Sequence, residues 1–232
     1  MRIPSPTRFV RLPVIGALLA AATLMGATLM AAAPVAAGQG FGPHTNAFGG
    51  NWSGYAASGA TFTSITGSWT EPTANCKADH DLYAPWLGID GYNDETVEQT
   101  GVQTSCSTGK PVDSGWYEMY PANPVYYSNP VSTGDTITAS VVSNGGSSYT
   151  LTLEDVTKGW TKTVTKSLNA ENASAEAIIE APGGFPGLPN GVTFTNVTVN
   201  GHLLNTFSPT KLTSAGFKPG ALSGGTFTIK HS

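Results

Sequence analysis

The amino-acid sequence predicts an all-β protein, a single domain built as a two-sheet antiparallel β-sandwich. Short runs rich in Thr, Val, Ile and aromatic residues recur between clusters of Gly, Pro, Asn and Ser, which is typical of strands joined by turns. Helical periodicity is almost absent. Without an N-terminal leader, about 195 residues remain, which is enough to bury one sizeable core.

The leader is predicted over residues 1–37 and the sandwich domain over residues 38–232. All arginines lie within the first eleven residues, and an uncharged stretch rich in Leu, Ala and Met follows at residues 12–33. Small residues at Val35 and Ala37 fit a signal-peptidase cleavage site, so we expect a secreted, extracellular protein. The alternative is an uncleaved membrane anchor, since the apolar stretch is nearly long enough to span a bilayer.

The charge composition argues against nucleic acid as a partner and is compatible with an acidic environment. Only 11% of the residues are charged. The part after the leader keeps eight lysines, no arginine and all 15 acids, a formal charge of −7. Nucleic acid is therefore not expected as a partner, nor is stable membrane association once the leader is removed. Because most carboxylates become neutral below about pH 4, a chain with few basic groups also has the composition of an acid-tolerant protein.

The predicted strands follow one another at the spacing of a sandwich. They are residues 61–69, 136–142, 149–153, 161–167, 192–199 and 226–230. Gly145-Gly146 and residues 155–159 are placed as hairpin turns. Residues 181–191 hold three Pro and four Gly and are predicted to form a loop.

The two cysteines, Cys76 and Cys106, are predicted to form one structural disulfide, because an exported chain meets oxidising conditions. The bond would close a loop of about 30 residues, worth roughly 3.5 kcal/mol in the chain-entropy model. A metal site with two thiol ligands is the weaker alternative, since neither cysteine has a second Cys or His at zinc-finger spacing.

Motif searches exclude several chemistries. The sequence lacks a G-x-S-x-G elbow, an H-E-x-x-H helix, a P-loop and a G-x-G-x-x-G turn, so no cofactor or metal is expected. The histidines, His44, His80, His202 and His231, are scattered through loop-like or terminal segments. A Ser-His pair stays open, because such partners meet only in the fold.

Carboxylates and amides remain, in three segments that alternate as strands do. One strand face is predicted to hold Glu176, Ile178 and Glu180, another Trp116, Glu118 and Tyr120, and a third Val97 and Gln99, with Glu98 and Thr100 opposite. Each of these faces could equally be an ordinary solvated surface.

In order, these segments carry motifs that resemble the eqolisin-type glutamic peptidases, which are secreted, acid-acting endopeptidases. The motifs are N-W-S-G at 51–54, W-L-G-I-D-G at 86–91, Q-T-G-V at 99–102, W-Y-E-M-Y-P at 116–121 and A-E-A-I-I-E at 175–180. Weaker similarity continues through 192–197 to 225–229. The resemblance implies a concanavalin-like sandwich, polypeptide substrates, a monomer and no cofactor.

The resemblance also implies which residues form the site. The family's catalytic glutamine corresponds to Gln99 and its catalytic glutamate to Glu180. Trp86, Asp90 and Glu118 match supporting residues, and Trp116 belongs to the same motif as Glu118. Glu176 lies two strand positions from Glu180 and is the rival for the catalytic acid.

The pair makes chemical sense if the two side chains act differently. The Glu180 carboxylate would take a proton from water as general base and return it to the leaving amine as general acid. The Gln99 amide would stabilise the developing oxyanion, which is typically worth about 3 to 4 kcal/mol. With an ordinary glutamate pKa of about 4.3, the sequence predicts activity in acid.

Two departures from the family and two alternative functions stay open. Ser114 stands where the family often has an acid. Ala177 replaces a bulky aromatic, which predicts a wider cleft near Glu180. The triplet Asp113-Ser114-Gly115 suggests an aspartic peptidase, although such enzymes need two aspartates. A secreted sandwich with exposed Trp and Tyr could instead bind carbohydrate or hydrolyse glycosides.

Overall fold

Extended strands make up most of the structure, a computed structural model that describes residues 41–42 and 50–232. In these residues the chain forms fifteen β-strands and one short 3-10 helix. The proposed signal peptide, residues 1–37, lies outside the described residues, as does His44. None of the helical structure in the described ranges is long and apolar enough to cross a membrane.

The strands have the following bounds in chain order. They are β1 Trp52–Ser58, β2 Ser64–Thr70, β3 Leu82–Ile89, β4 Val97–Ser105, β5 Val112–Tyr120, β6 Val125–Pro130, β7 Thr136–Gly145, β8 Ser148–Asp155, β9 Trp160–Ser167, β10 Ser174–Gly184, β11 Val192–Val199, β12 His202–Leu203, β13 Thr210–Leu212, β14 Phe217–Pro219 and β15 Phe227–His231. The 3-10 helix is Leu204–Phe207.

Two antiparallel sheets confirm the predicted fold class. A seven-stranded sheet has the order β13-β1-β10-β3-β4-β5-β6. An eight-stranded sheet has the order β14-β15-β11-β2-β7-β8-β9, with β12 beside β11. Neighbours in sequence are often neighbours in a sheet, but β10 lies between β1 and β3. This long-range insertion brings residues about 80 to 130 positions apart into one sheet surface.

The seven-stranded sheet buries side chains on both faces. Its inner face packs on the other sheet and shares a core with residues such as Trp69, Leu87, Ile179 and Phe194. Its outer face carries a second apolar cluster that includes Phe41, Trp52, Trp86, Trp116 and Ile178. Because one face of an antiparallel sheet is commonly solvated, a buried aromatic cluster on an outer face indicates a binding surface.

Four of the predicted strands match β8, β9, β11 and β15 to within about two residues. Residues 61–69 form a strand only from Ser64, and the strand predicted at 136–142 continues to Gly145. The hairpin turns lie where they were predicted, between β7 and β8 and between β8 and β9. The alternation of Thr with apolar residues specifies β8, since one face of that strand is buried and the other is partly solvated.

The loop predicted over residues 181–191 is wrong in its first part. Strand β10 extends through Pro182 to Gly184, where Gly184 pairs with Leu82 after a register shift. A proline and paired glycines are tolerated there because the pairing is already irregular. Within residues 185–191, Gly187 pairs with Asn75 in an isolated bridge.

The disulfide between Cys76 and Cys106 is confirmed, with an Sγ–Sγ distance of 2.04 Å and a Cα–Cα distance of 5.6 Å. The alternative thiol metal site is therefore wrong. Among the described residues, no group of three or more His, Cys, Asp or Glu side chains could hold a metal ion.

A buried acid, Glu71, ties the sheets together away from the candidate site. Its carboxyl oxygens accept hydrogen bonds from Trp69 Nε1 at 3.1 Å and from the Tyr83 hydroxyl at 3.3 Å. Burial, with a smaller contribution from Asp113, raises the pKa of Glu71 to about 8. The folded protein therefore holds a proton at neutral pH that the unfolded chain releases.

We expect the protein to lose stability as pH rises through the window between the two pKa values of Glu71. The pKa of Glu71 is about 4.3 in the unfolded chain and is raised in the folded protein. Between these two pKa values, each such group lowers the free energy of unfolding by up to about 1.4 kcal/mol for every unit that the pH rises. Urea denaturation at several pH values measures this decline. Glu71→Gln should make the decline shallower by the contribution of one such group, whereas Glu95→Gln, at an exposed site, should leave the decline unchanged. Identical slopes in all three proteins would contradict the prediction.

Candidate active site

Strand register brings the candidate polar residues to the outer face of the seven-stranded sheet. Gln99 of β4 pairs with Glu118 of β5 and with Gly88 of β3, while Glu180 of β10 pairs with Trp52 of β1. Alternation then places Gln99, Glu118 and Glu180 on the face that carries the outer aromatic cluster. We call this surface the outer-face site.

The Glu180 side chain is only 1% exposed. Its Oε1 atom accepts hydrogen bonds from Asn51 Nδ2 at 2.9 Å and from the backbone N–H of Gly42 at 3.2 Å. Its Oε2 atom is buried and makes no hydrogen bond of ordinary geometry to the described residues. One oxygen is thus held in place by two hydrogen bonds, and the side chains of Trp86 and Trp52 also interact with the carboxyl group and lower its pKa.

The Gln99 carboxamide is held by two acceptors. Its Nε2 atom donates to Glu118 Oε2 at 2.8 Å and to the carbonyl oxygen of Phe41 at 3.3 Å. Because both partners are oxygens, the nitrogen of the amide must point toward them. Gln99 therefore presents an N–H group, rather than its carbonyl, to the outer-face site.

Gln99 and Glu180 converge on a single peptide group. Gln99 binds the carbonyl oxygen of Phe41, and Glu180 accepts from the N–H of Gly42, the two polar atoms of the bond between these residues. The two side chains come from strands on opposite sides of β3, and 81 positions separate them in the sequence. A hydrogen-bond donor and a carboxyl group directed at one amide are suited to acyl transfer.

Burial controls the electrostatics of the site. Burial raises the pKa of Glu180 to about 8, opposed by hydrogen bonds that include those of Gly42 and Asn51. Burial, and then the charge of Glu180, raises the pKa of Glu118 to about 9. The ordinary glutamate value used to predict activity in acid therefore does not hold while Phe41 and Gly42 occupy the site. In that state both carboxyls are neutral throughout the acidic range.

Aromatic rings surround the polar groups. Trp52 and Trp86 meet edge to face with ring centroids 4.8 Å apart, and Trp116 stacks on Phe41 at 4.4 Å. Gly88 leaves room for the Trp86 indole, since a Cβ atom there would lie 2.8 Å from Trp86 Cζ3. The rings exclude water, which strengthens the electrostatic interactions inside the site.

Two of the predicted supporting residues lie apart from the Gln99 and Glu180 contacts. Asp90 has a left-handed φ of 65°, and its carboxylate accepts from the backbone N–H groups of Asn172 at 2.8 Å and Ala173 at 2.6 Å. It thereby fixes the chain that leads into β10. Glu176 is buried on the same face as Glu180. Burial raises the pKa of Glu176. A hydrogen bond with Ser174 lowers this pKa, and the charges of neighbouring acids raise it further.

Two other sequence expectations are corrected. Ala177 belongs to the core between the sheets, so its small size does not widen the outer-face site. Asp113 of the Asp-Ser-Gly triplet accepts from Thr104 Oγ1 at 2.8 Å and interacts with Glu71. Alternation from Trp116 puts it on the inner face, away from Gln99 and Glu180.

Sequence reasoning missed Asn51 and the Phe41-Gly42 pair as parts of the site. Asn51 lies in a motif that carries the family resemblance, so its position three residues before the strand glycine Gly54 was a usable signal. Phe41 and Gly42 lie between the predicted leader and the first strand, in a segment with no periodicity or motif to mark it.

Comparison with known proteins finds one family. Residues 50–217 match the family model described as the Peptidase A4 family. Aspergillopepsin-2 from Aspergillus niger is 32% identical over 155 residues, which cover 56% of this chain and 55% of that protein. Scytalidopepsin B from Scytalidium lignicola is 33% identical over 138 residues, covering 56% of this chain and 51% of that protein. The chain thus spans about half the length of the curated relatives it matches.

Solved structures share the fold. Scytalido-glutamic peptidase, crystallised with a transition state analog inhibitor, superposes with a TM-score of 0.69 at 24% identity, covering 79% of this chain and 99% of that one. Aspergilloglutamic peptidase from Aspergillus niger superposes with a TM-score of 0.54 at 28% identity, covering 65% of this chain and 99% of that one.

Proposed function

The chain belongs to the Peptidase A4 family, as its motifs predicted, and from this premise we propose that it is a secreted endopeptidase acting through Gln99 and Glu180. One observation carries the proposal: the two side chains bind the carbonyl oxygen and the N–H of the same peptide group. A donor on the carbonyl side and a carboxyl on the nitrogen side are what hydrolysis of an amide requires.

In the proposed mechanism, Glu180 accepts a proton from a water molecule while the water oxygen attacks the carbonyl carbon. The carbonyl oxygen becomes negatively charged, and Gln99 Nε2 stabilises it with a hydrogen bond. Protonated Glu180 then donates to the leaving nitrogen, the C–N bond breaks, and an acid and an amine result. Its raised pKa makes Glu180 a stronger base when ionised and keeps it protonated for the second half.

We propose that Glu118 is a positioning residue in its neutral form. It accepts from Gln99 Nε2, and its pKa of about 9 keeps it uncharged beside Glu180. A neutral neighbour leaves the single negative charge of the reaction on Glu180, where it activates water.

Glu118→Gln and Glu118→Leu should therefore differ. Glutamine mimics the neutral acid and retains an acceptor, so kcat in acid should change little. Leucine removes the acceptor, and the loss of one hydrogen bond of about 1.4 kcal/mol should lower kcat about tenfold. A pH profile gives a second measurement. In Glu118→Gln the decline in activity at alkaline pH should begin at a higher pH than in wild type, because no second carboxyl can ionise. Equal losses in both variants would contradict a positioning role.

Digestion of denatured casein at several pH values tests the proposed function. Internal fragments identified by mass spectrometry would support an endopeptidase. Polysaccharide substrates serve as the comparison, since release of sugar without peptide cleavage would favour the glycoside alternative. Pepstatin, which binds between paired aspartates, should not inhibit, and strong inhibition would reopen the aspartic alternative.

A further inference from the structure

The Phe41 ring marks a pocket for one side chain of a bound peptide. The ring stacks on Trp116, with ring centroids 4.4 Å apart. Tyr126 packs against the same aromatic cluster, and its hydroxyl donates to Gln103 Oε1. The Phe41 carbonyl accepts from Gln99 Nε2, the proposed oxyanion donor. The residue that supplies the carbonyl for attack therefore places its side chain in this aromatic pocket, which we define by Trp116, Tyr126 and Gln103.

Strand register places Gln103 at the level of the proposed chemistry. Ala84 of β3 pairs with Glu180 of β10, and the pairing of β3 with β4 puts the same alanine opposite Gln103. Gln103 and Glu180 thus share a face across one short side chain, two strand spacings or about 10 Å apart. Trp116 pairs with Gly101, two residues before Gln103 on that face. Gln103 is therefore a diagonal neighbour of the Trp116 ring.

Two buried donors of the aromatic pocket have no hydrogen-bond acceptor among the described residues. They are Gln103 Nε2 and Trp116 Nε1, on residues that are 1% and 0% exposed. The Tyr126 hydroxyl fixes the orientation of the amide, because it binds the oxygen and leaves the nitrogen free. A buried donor without an acceptor is costly, since it has lost its bond to water. The hydrocarbon ring of Phe41 fills the pocket but cannot satisfy either donor.

We propose that Gln103 selects substrates in which tyrosine precedes the cleaved bond. The tyrosine ring stacks on Trp116 as the Phe41 ring does, and its phenolic oxygen accepts from the unpaired donors of the pocket. This inference rests on the proposed peptidase function. It extends that function by naming a class of substrate and the residue that determines it.

The same donors reject other aromatic residues in a fixed order. A site built to bind a hydroxyl discriminates against the analogue that lacks it, because the buried polar groups of the site then stay unpaired. Phenylalanine leaves the donors unpaired. Tryptophan, and histidine protonated in acid, bring a further N–H donor and no acceptor. We therefore expect kcat/KM to be highest for tyrosine, lower for phenylalanine and lowest for tryptophan and histidine.

The test uses quenched fluorescent peptides that differ only in the residue before the cleaved bond, which is Tyr, Phe, Trp or His. In acid, wild type should cleave the tyrosine peptide with a kcat/KM about tenfold above that of the phenylalanine peptide. Mass spectrometry identifies the bond that is cut. Competition from the Phe41-Gly42 segment lowers the apparent affinity of every peptide by one factor, so it does not change the ratios.

Gln103→Leu removes the donor and approximately keeps the size of the side chain. The ratio of the tyrosine to the phenylalanine peptide should fall from about ten to about one. The phenylalanine peptide should be cleaved better than by wild type, because no amide donor is left unpaired. General damage to the site cannot produce such a gain. Asn144→Leu makes the same exchange at an exposed position of the other sheet and should keep the wild-type ratio.

Tyr126 is the positioning residue of the aromatic pocket. Tyr126→Phe removes the hydroxyl that holds Gln103 Oε1, so the amide can turn and present its oxygen. The advantage of the tyrosine peptide should decrease, and the tryptophan peptide should gain relative to the phenylalanine peptide. A merely structural role of the hydroxyl would lower kcat/KM for all peptides alike. Circular dichroism checks that each variant folds.

The outcomes distinguish this inference from the function on which it rests. Equal kcat/KM values for the tyrosine and phenylalanine peptides in wild type would overturn the selection and leave the peptidase intact. Equal losses on both peptides in Gln103→Leu would also overturn it. If wild type cleaves none of the peptides, the proposed function is wrong. Binding of the uncleaved peptides to Glu180→Gln then decides the inference: about tenfold tighter binding of the tyrosine peptide supports it, and equal dissociation constants contradict it.

Discussion

Glu180→Gln should lower kcat for peptide hydrolysis by about 10⁴-fold, because one carboxyl is proposed to serve as both general base and general acid and such catalysis typically contributes 10² to 10⁴. A glutamine keeps the size of the side chain and an oxygen that can accept from Asn51 and Gly42. It can neither accept a proton from water nor return one at useful rates. The fold should therefore survive while the chemistry is lost.

Glu176→Gln is the matched control for this substitution. Glu176 is on the same strand and the same face and is equally buried, but its neighbours are Ser174 and other acids. We expect kcat to change by less than about threefold in this variant. Steady-state kinetics on a quenched fluorescent peptide would measure kcat for both variants. Full activity in Glu180→Gln combined with its loss in Glu176→Gln would transfer the catalytic role to Glu176.

Gln99→Ala should lower kcat by about 10² to 10³-fold, the usual effect of removing one oxyanion donor from a dry site. The donor acts on charge that develops in the transition state, so KM should change much less than kcat. The bond to the neutral Phe41 carbonyl is 3.3 Å long, which leaves room for it to strengthen as the oxygen becomes negative.

Gln103→Ala tests whether any buried amide on this surface would give the same result. Gln103 lies four residues along β4 on the same face, and its Oε1 accepts from the Tyr126 hydroxyl. Its loss should affect stability more than kcat. If Gln103→Ala lowers kcat as much as Gln99→Ala does, the oxyanion role of Gln99 is wrong.

The sequence allowed most of the fold and part of the candidate site to be predicted. Alternation identifies β8 and β11 because one side of each strand is buried and the other is partly solvated. It identifies β9 because half-buried and exposed residues alternate over most of that strand. Strand β1 was not assigned, since a run buried on both faces shows no alternation. The end of β10 was missed because Pro and Gly are turn signals, and only pairing with β3 holds them in a strand.

The candidate site also has features that the sequence predicts and features that it does not. Gln99, Glu118 and Glu180 could be predicted, because each of them lies in a short contiguous motif of the sequence. The raised pKa values could not be predicted, because they depend on how completely the folded site excludes water. The occupation of the site by Phe41 and Gly42 also depends on tertiary contacts alone, with Trp116, Trp52 and Gln99.

The buried acids change how the native molecule should behave in an electric field. Five glutamates, Glu71, Glu98, Glu118, Glu176 and Glu180, have pKa values raised far above the ordinary one. At neutral pH they are mostly uncharged, so residues 38–232 carry roughly two net negative charges in the folded protein rather than the seven that their composition implies. In isoelectric focusing the native form should therefore have a clearly higher isoelectric point than the urea-unfolded form. The two forms should have the same isoelectric point only when these acids are replaced.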